Sequence, residues 1–235
     1  KIKPVFMLAE SENIKLQEFA FDAEYGWEFH HVMNKTAKGE KNSSDLDKYF
    51  EKSLLNFPPN TIHIQFTSNH DENSWNGTEF ERLGDGAKAF AVLSFMVPGM
   101  PLLYNGQEVG FNKRLEFFDK DQIIWKDNNN FEEFYTKLIA LRKRNSALYA
   151  AKKGAPMERI LTPNQPAVYA FARANENDKI VAVFNFSANS ATFDLNSNIQ
   201  IGKYTNVFTG QEVGFRASET ITLEPWGYLV FEAKK

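Results

Sequence analysis

The 235-residue sequence predicts an α/β unit followed by an all-β unit. Over roughly the first 150 residues, short apolar runs alternate with longer segments of helical periodicity, a pattern typical of a parallel sheet covered by helices. From about residue 151 the pattern changes to period-two strands separated by turn residues. This change indicates an antiparallel sandwich or barrel in the remaining part of the chain.

Apolar runs and helical periodicity define the elements of the first unit. The predicted strands are PVFML at 4–8, EFAFD at 18–22, IHIQF at 62–66 and PLLYN at 101–105. The predicted helices lie at 43–57, 85–97 and 130–148, each with apolar side chains at helical spacing. Ser44 and Asp47 form a plausible capping pair for the first of these helices. The second is largely apolar and ends at Pro98-Gly99.

Alternating apolar and polar residues define the strands of the second unit. Turn-forming segments such as NEND and SANS separate them. The predicted strands are AVYAFARA at 167–174, KIVAVFNFS at 179–187, ATFDLN at 191–196, KYTNVFTG at 203–210, TITLEP at 220–225 and GYLVFEA at 227–233.

Composition excludes several classes of function. The net charge of -3 and the absence of a dense Lys/Arg tract argue against nucleic acid as a partner. No apolar run reaches the roughly 18–20 residues of a membrane helix, so we predict no membrane partner. The sequence has no cysteine, which excludes disulfides and thiolate metal sites but leaves the compartment open. The chain begins Lys1-Ile2-Lys3, and we expect it to be a fragment or a processed chain.

Side chains that can carry charge or form hydrogen bonds cluster where the predicted strands end. Glu10 and Glu12 follow the first strand, and Asn69, His70, Asp71 and Glu72 follow the third; the fourth ends in the sequence YNGQE. The carboxyl ends of parallel strands meet at one edge of the sheet, so these carboxylates are expected to converge. Paired carboxyl groups serve acid/base and glycosyl-transfer chemistry.

Each of these residues also has a plain structural interpretation. Glu10 could be a solvated loop residue or a helix N-terminal charge, and His70 with Asp71 could form a local turn network. Glu12 and Glu72 are expected to be ordinary surface carboxylates. A metal site from His70, Asp71 and Glu108 lacks the usual ligand spacing, so we predict no metal site. Trp75 could form a platform for a sugar, although packing is the commoner role of such a ring.

Several motifs together resemble the α-amylase family of glycoside hydrolases (glycoside hydrolase family 13). FTSNHDENS resembles the motif after the family's seventh barrel strand, and FMLAE resembles the strand-five motif that ends in the general acid. GMPLLYNGQEVG is similar to the eighth strand with its loop, and RLEFFDKDQIIWK to the segment that follows. The ending PWGYLVFE is similar to the family's C-terminal β-domain. The resemblance covers essentially the whole chain.

The resemblance implies a fold and a set of roles. Residues 1–150 would be the C-terminal half of a (β/α)8 TIM barrel, about four β/α units, and residues 151–235 an antiparallel β-sandwich domain. Glu10 would be the proton donor and Asp71 the fixed carboxylate that stabilises the transition state. His70, Asn69 and Trp75 would contact the substrate, an α-glucan oligosaccharide. Ser11 stands where related sequences often carry an aromatic residue, which puts subsite contacts there in question.

One departure from the family pattern limits what this chain can do alone. The nucleophilic aspartate of the family follows strand four, and this sequence resembles only strand five onwards. A retaining glycosidase needs that nucleophile about 5–5.5 Å from the acid, so we expect the chain alone to be inactive. Its expected partner is the missing N-terminal half of the barrel or a second copy of the chain. We expect no cofactor in this chain, with calcium possible in the intact protein. The alternative is a non-catalytic carbohydrate-binding or scaffold protein on an amylase-like fold.

Overall fold

The first unit is built on a four-stranded parallel sheet, as the sequence predicts. The computed structural model describes residues 3, 5–127, 130–162 and 165–234. The strands lie in the order β1-β2-β3-β4, and every pairing is parallel. Their bounds are β1 Leu8–Ala9, β2 Ala23–Tyr25, β3 Ile62–Gln65 and β4 Met100–Pro101. The carboxyl ends of all four strands therefore face the same edge of the sheet.

Six α-helices accompany this sheet within the described residues. They are α1 Ile14–Phe19, α2 Trp27–Ala37, α3 Ser43–Asn56, α4 Glu79–Leu83, α5 Ala87–Met96 and α6 Phe131–Arg144. The predicted helices at 43–57, 85–97 and 130–148 are confirmed as α3, α5 and α6. The cap of α3 differs from the prediction: Asn42 accepts the Ser44 N–H, and Asp45 accepts the Asn42 N–H. Asn42 and Asp45 therefore form the capping box, in place of Ser44 and Asp47.

Three of the four predicted strands of the first unit are shifted. The strand predicted at 101–105 overlaps β4, Met100–Pro101, at residue 101 alone. The segment 18–22 is not a strand, because α1 continues to Phe19 and β2 begins only at Ala23. Its apolar signal misleads because Phe19 is 85% exposed, whereas Ala23 is fully buried. The first strand is Leu8–Ala9, so it begins at the last residue of the predicted segment 4–8, of which residue 4 lies outside the described residues. The Met7 carbonyl already accepts the N–H groups of Asp22 and Ala23 at this junction.

The second unit contains a six-stranded and a two-stranded antiparallel sheet. The six-stranded sheet has the order β10-β9-β12-β7-β6-β5, and β11 pairs with β8. The bounds are β5 Met157–Ile160, β6 Val168–Ala174, β7 Asp178–Asn185, β8 Ala191–Asn196, β9 Gly202–Asn206, β10 Glu212–Phe215, β11 Ser218–Leu223 and β12 Tyr228–Lys234. All six predicted strands are confirmed in position. Sequence reasoning missed β5 and β10, which are four-residue strands with exposed polar positions.

Two hydrophobic cores hold the chain together. The larger core joins helices α2, α3, α5 and α6 to one face of the six-stranded sheet. The smaller core lies between the other face of that sheet and the β8-β11 pair. Central strands β6 and β7 are therefore buried on both faces and read as nearly continuous apolar runs. Within the part of the chain that is described, no helix is both long and apolar enough to cross a bilayer.

Candidate active site

Glu10, His70 and Asp71 meet at the carboxyl edge of the parallel sheet. Glu10 directly follows β1, and the other two residues lie beyond the end of β3. The His70 Nε2 atom is 3.2 Å from Glu10 Oε1 and 3.9 Å from Asp71 Oδ1. One carboxylate oxygen from each acid and one imidazole nitrogen lie within 4.8 Å of one another. The predicted convergence of these three side chains is therefore present, and all three remain accessible to solvent.

Tyr25 lies near this cluster at the end of β2, the strand between β1 and β3. Its side chain is buried, and its ring packs edge-on against Phe66. Burial raises the pKa of the Tyr25 hydroxyl, and the nearby charges of Glu10 and Asp71 raise that pKa further. Tyr25 is thus a neutral phenol next to two carboxylates. Sequence reasoning missed it because the second predicted strand was placed too early in the chain.

Asn69 faces the protein interior rather than the cluster. Its side chain is buried, and its Oδ1 atom accepts the backbone N–H of Glu72 at 2.8 Å. This hydrogen bond closes the turn that carries His70 and Asp71, so the expected local turn network exists but is centred on Asn69. The Asn69 amide nitrogen is buried without a hydrogen-bond partner among the described residues. Its contact with substrate stays a prediction.

The backbone after Asp71 forms a short π-helix, Glu72–Asn76. Such segments occur frequently at functional sites. Glu72 was expected to be a surface carboxylate, but it is buried, with Oε2 2.9 Å from His30 Nε2 of α2. Burial alone would raise the pKa of Glu72, but hydrogen bonds from His30 and Asn76 and the charge of Arg82 outweigh it and lower that pKa to about 2. The ionised Glu72 therefore anchors the backbone next to Asp71.

A second buried carboxylate connects the ends of β3 and β4. Thr67 Oγ1 and Gln107 Nε2 both donate hydrogen bonds to Glu79 Oε2. Burial raises the pKa of Glu79 to about 7. Glu108, which follows Gln107 in the chain, accepts the backbone N–H of Gly106 and lies outside the Glu10 cluster. Glu108 therefore caps its own turn.

Trp75 belongs to an exposed aromatic surface next to the cluster. Its ring is 5.0 Å from that of Phe117 and 6.0 Å from that of Phe118, between ring centroids. Phe117 in turn stacks on the His70 ring at 6.2 Å. We call Trp75, Phe117 and Phe118 the aromatic surface. Sequence reasoning named only Trp75, although the adjacent pair of phenylalanines lies in the segment that resembles the family.

The arrangement suits acid/base chemistry, and the described residues also contain two clusters of potential metal ligands. Glu10 and Asp71 can supply a proton donor and a fixed negative charge, and His70 can donate a hydrogen bond between them. Within the described residues, two clusters bring three potential metal ligands together. One is Glu10 with His70 and Asp71, and the other is Glu12 with Glu24 and His63. The second cluster had no place in the sequence prediction.

Comparison with known families matches both units. A family model described as "Alpha amylase, catalytic domain" matches residues 9–138, and one described as "Maltogenic Amylase, C-terminal domain" matches residues 158–230. The alpha-amylase MalA of Haloarcula japonica is 31% identical over 147 residues, covering 61% of this chain and 21% of that protein. An oligo-1,6-glucosidase of Bacillus cereus is 22% identical over 218 residues, covering 64% of this chain and 38% of that protein.

Solved structures show the same fold. The noncanonic maltogenic alpha-amylase AmyB of Thermotoga neapolitana superposes with a TM-score of 0.83 at 18% identity, covering 100% of this chain and 56% of that one. A cyclomaltodextrinase superposes with a TM-score of 0.81 at 17% identity, covering 98% and 40% of the two chains. The fold is therefore that of the amylase TIM-barrel proteins, and the chain spans well under two thirds of these relatives. Since the catalytic family model matches more than half of its residues, the chain belongs to the α-amylase family, glycoside hydrolase family 13.

Proposed function

We propose that this chain is part of a retaining glycoside hydrolase that acts on α-glucosidic linkages of starch-like oligosaccharides. The observation that carries the proposal is the meeting of Glu10, His70 and Asp71 at the carboxyl edge of a parallel sheet. Active sites of TIM-barrel enzymes lie at this edge. Family membership and the names of the relatives, an alpha-amylase and an oligo-1,6-glucosidase among them, support the same substrate class.

Each side chain takes one role in the proposed two-step reaction. Glu10 donates a proton to the glycosidic oxygen as the bond from that oxygen to the anomeric carbon breaks and the nucleophile forms a bond to that carbon. Asp71 stays ionised and stabilises positive charge that develops on the sugar ring. His70 donates a hydrogen bond to the same sugar. In the second step Glu10 takes a proton from the water that releases the covalently bound sugar.

The nucleophile in this proposal comes from outside the 235 residues. The family resemblance places that aspartate after a strand with no counterpart here. We propose that residues 1–150 form the C-terminal half of the barrel and residues 151–235 a β-sandwich domain. Among the described residues no strand pairs with the outer edge of β1 or of β4. The missing half of the barrel, or a second copy of the chain, would cover these two edges.

Release of reducing sugar from maltoheptaose tests the proposal. We expect no activity from the 235-residue chain alone and clear activity from a longer protein that includes the preceding barrel strands. In that longer protein Glu10→Gln should lower kcat/KM by at least about 100-fold, the usual contribution of general acid catalysis. The matched control is Glu51→Gln, which changes an exposed carboxylate on α3 and should leave kcat/KM unchanged.

Two results would contradict the assignment. Full activity in Glu10→Gln would place the acid elsewhere, and activity of the short chain alone would show a nucleophile within it. Maltoheptaose binding without cleavage by the longer protein would favour the alternative of a non-catalytic carbohydrate-binding protein. Binding is measured by calorimetry on the same samples, so that the two functions are separated.

A further inference from the structure

A second cluster of metal-ligating side chains lies beneath the helices, on the other face of the sheet. Glu24 of β2 and His63 of β3 are direct partners in the parallel register. Because side chains alternate along a strand, both point away from the face that Tyr25 occupies. His63 reaches Ser53 of α3, which shows that this is the helix-covered face. Glu12, in the loop after β1, completes the cluster.

Glu24 and His63 are each oriented by a hydrogen bond at the side-chain atom that points away from the cluster, which we call the outer atom. Glu24 Oε2 accepts the backbone N–H of Asn13 at 3.0 Å. His63 Nε2 lies 3.0 Å from Ser53 Oγ, so a proton on Nε2 leaves Nδ1 free to bind a metal. Metal-binding histidines are usually oriented in this way by a hydrogen bond from the second ring nitrogen.

Glu12 is held in the same manner. Its Oε2 atom accepts the backbone N–H of Glu28, in the first turn of α2, at 2.8 Å. One of its carboxylate oxygens lies within 4.8 Å of ligand atoms of both Glu24 and His63. Glu12 is half-buried, and the sequence had suggested an ordinary surface carboxylate. The loop after β1 is thus folded so that its carboxylate points inward.

The atoms of Glu24 and His63 that face the cluster, Oε1 and Nδ1, have no hydrogen-bond partner among the described residues. We call them the inner atoms. Glu24 is fully buried, and neither its Oε1 nor His63 Nδ1 makes a hydrogen bond among the described residues. Within those residues no lysine or arginine nitrogen lies within 4.0 Å of the Glu12 or Glu24 carboxylate. Among the described residues, the basic group within 4.0 Å of Glu24 is the His63 ring, which is a counter-charge only when it is protonated. With His63 neutral, Glu24 Oε1 is a buried carboxylate oxygen without a hydrogen bond, which is costly. A cation between these atoms would remove that cost.

The spacing of the inner atoms fits a tetrahedral metal ion. Glu24 Oε1 and His63 Nδ1 are 3.2 Å apart. Bonds of about 2.0–2.2 Å at a tetrahedral Zn²⁺ place two ligand atoms about 3.3–3.6 Å from each other, slightly more than this separation. An imidazole with two carboxylates suits a transition metal, whereas Ca²⁺ takes six to eight oxygen ligands. Three protein ligands leave one position of a tetrahedral ion for water.

We propose that Glu12, Glu24 and His63 form a binding site for a divalent transition-metal ion, of which Zn²⁺ is the best match. The ion would tie the loop after β1 to strands β2 and β3. Glu12 is two residues from Glu10, so binding would also restrain the loop that carries the proposed acid. The site itself does not depend on the proposed function, because none of its ligands takes part in the reaction described above.

Equilibrium dialysis of the chelator-treated chain against Zn²⁺, with metal counted by mass spectrometry, tests the site. We expect one Zn²⁺ per chain. Glu24→Gln and His63→Gln should each weaken binding by at least about tenfold, a loss seen even when only a partner of a ligand is removed. Glu28→Gln is the matched control, because its side chain pairs with Lys52 and only its backbone touches the cluster. That variant should bind Zn²⁺ as tightly as the original chain.

The competing location for an ion is the Glu10, His70 and Asp71 cluster. Zn²⁺ binding that survives Glu24→Gln but disappears in Asp71→Asn would overturn the proposal, as would the absence of stoichiometric binding. Circular dichroism verifies that the variants fold. The original chain gives an independent readout by NMR: Zn²⁺ should shift the ring signals of His63 and leave those of His70 in place. The reverse pattern would also refute the site.

Discussion

The buried carboxyl group of Glu79 makes stability depend on pH. Burial raises its pKa from 4.5 to about 7, so folding favours the protonated form. The resulting stabilisation is complete below pH 4.5 and is lost as the pH rises towards 7. The shift corresponds to about 3 kcal/mol in the free energy of unfolding. Glu72 has the opposite effect in a different pH range. Because folding lowers its pKa from 4.5 to about 2, Glu72 stabilises the fold fully above pH 4.5, and this stabilisation is lost as the pH falls towards 2.

Glu79→Gln separates the two effects. The neutral amide should abolish the loss of stability between pH 4.5 and 7 that Glu79 causes, because it has no proton to release. Urea unfolding at a series of pH values measures the difference between the two proteins. Glu132→Gln, at an exposed position of α6, is the control and should keep the original pH profile. If the free energy of unfolding depends on pH in the same way for Glu79→Gln and for the unchanged protein, Glu79 does not take up a proton on folding.

The aromatic surface gives a second prediction at the residue scale, which rests on the proposed function. Trp75 is more than half exposed and faces Phe117 next to His70, so its ring is free to cover a sugar. Trp75→Ala should weaken maltoheptaose binding by about 1 kcal/mol, or roughly fivefold. Trp125→Ala is the control, because Trp125 is equally exposed but outside this surface. Equal losses in both variants, measured by calorimetry, would contradict a specific platform.

The residues that could be predicted from the sequence are those with local signals. Glu10, His70 and Asp71 follow apolar runs directly, and the rule that strand ends converge brings them together. Glu72 and Glu12 gave no such signal, because their burial depends on His30 of α2 and on Glu28 of the same helix. Contacts between separate elements decide whether a carboxylate is a surface charge or a buried ligand. These contacts cannot be read from a single sequence.

At the scale of elements, the start of α3 allows a direct test. Asn42 Oδ1 accepts the Ser44 N–H at 2.9 Å, and Asp45 completes the capping box. Asn42→Ala should lower the free energy of unfolding by about 1 kcal/mol, since an orphan N–H of the first turn loses its acceptor. Ser44→Ala removes an exposed hydroxyl that donates to Asn42 Oδ1 but caps no backbone N–H, and it should change stability by less than about 0.5 kcal/mol. Urea denaturation of both variants decides between the observed cap and the one predicted from the sequence.

Elements were predictable where a strong periodic pattern coincided with burial. Helices α3, α5 and α6 have such patterns, and so do strands β6, β7 and β8. Helix α2 was not predicted because His30, His31 and Asn34 interrupt its apolar side, although His30 is buried and hydrogen-bonded to Glu72. The strands β1 and β4 have only two residues each. Their position follows from pairing with neighbours, so their bounds could not be predicted locally.

At the scale of the whole molecule, the open sheet edges lead to the last prediction. Near β1, Val5, Phe6 and Leu8 are 46, 56 and 40% exposed. The outer edge of β1 has no partner strand among the described residues. Unpaired strand edges with exposed apolar side chains promote association. We therefore expect the 235-residue chain, studied alone, to self-associate at micromolar concentrations.

Sedimentation equilibrium measures this association, and two lysine substitutions locate it. Phe6→Lys places a charge beside the open edge and should shift the chain towards monomer, because a buried lysine at a new strand pairing would lose its hydration. Leu55→Lys changes an even more exposed apolar residue on α3, away from that edge, and should leave the association unchanged. Dissociation by Leu55→Lys alone would move the contact to α3. A monomeric chain that binds no hydrophobic dye would show that the sheet edge needs no cover, and the proposal of a half-barrel completed by a partner would fail with it.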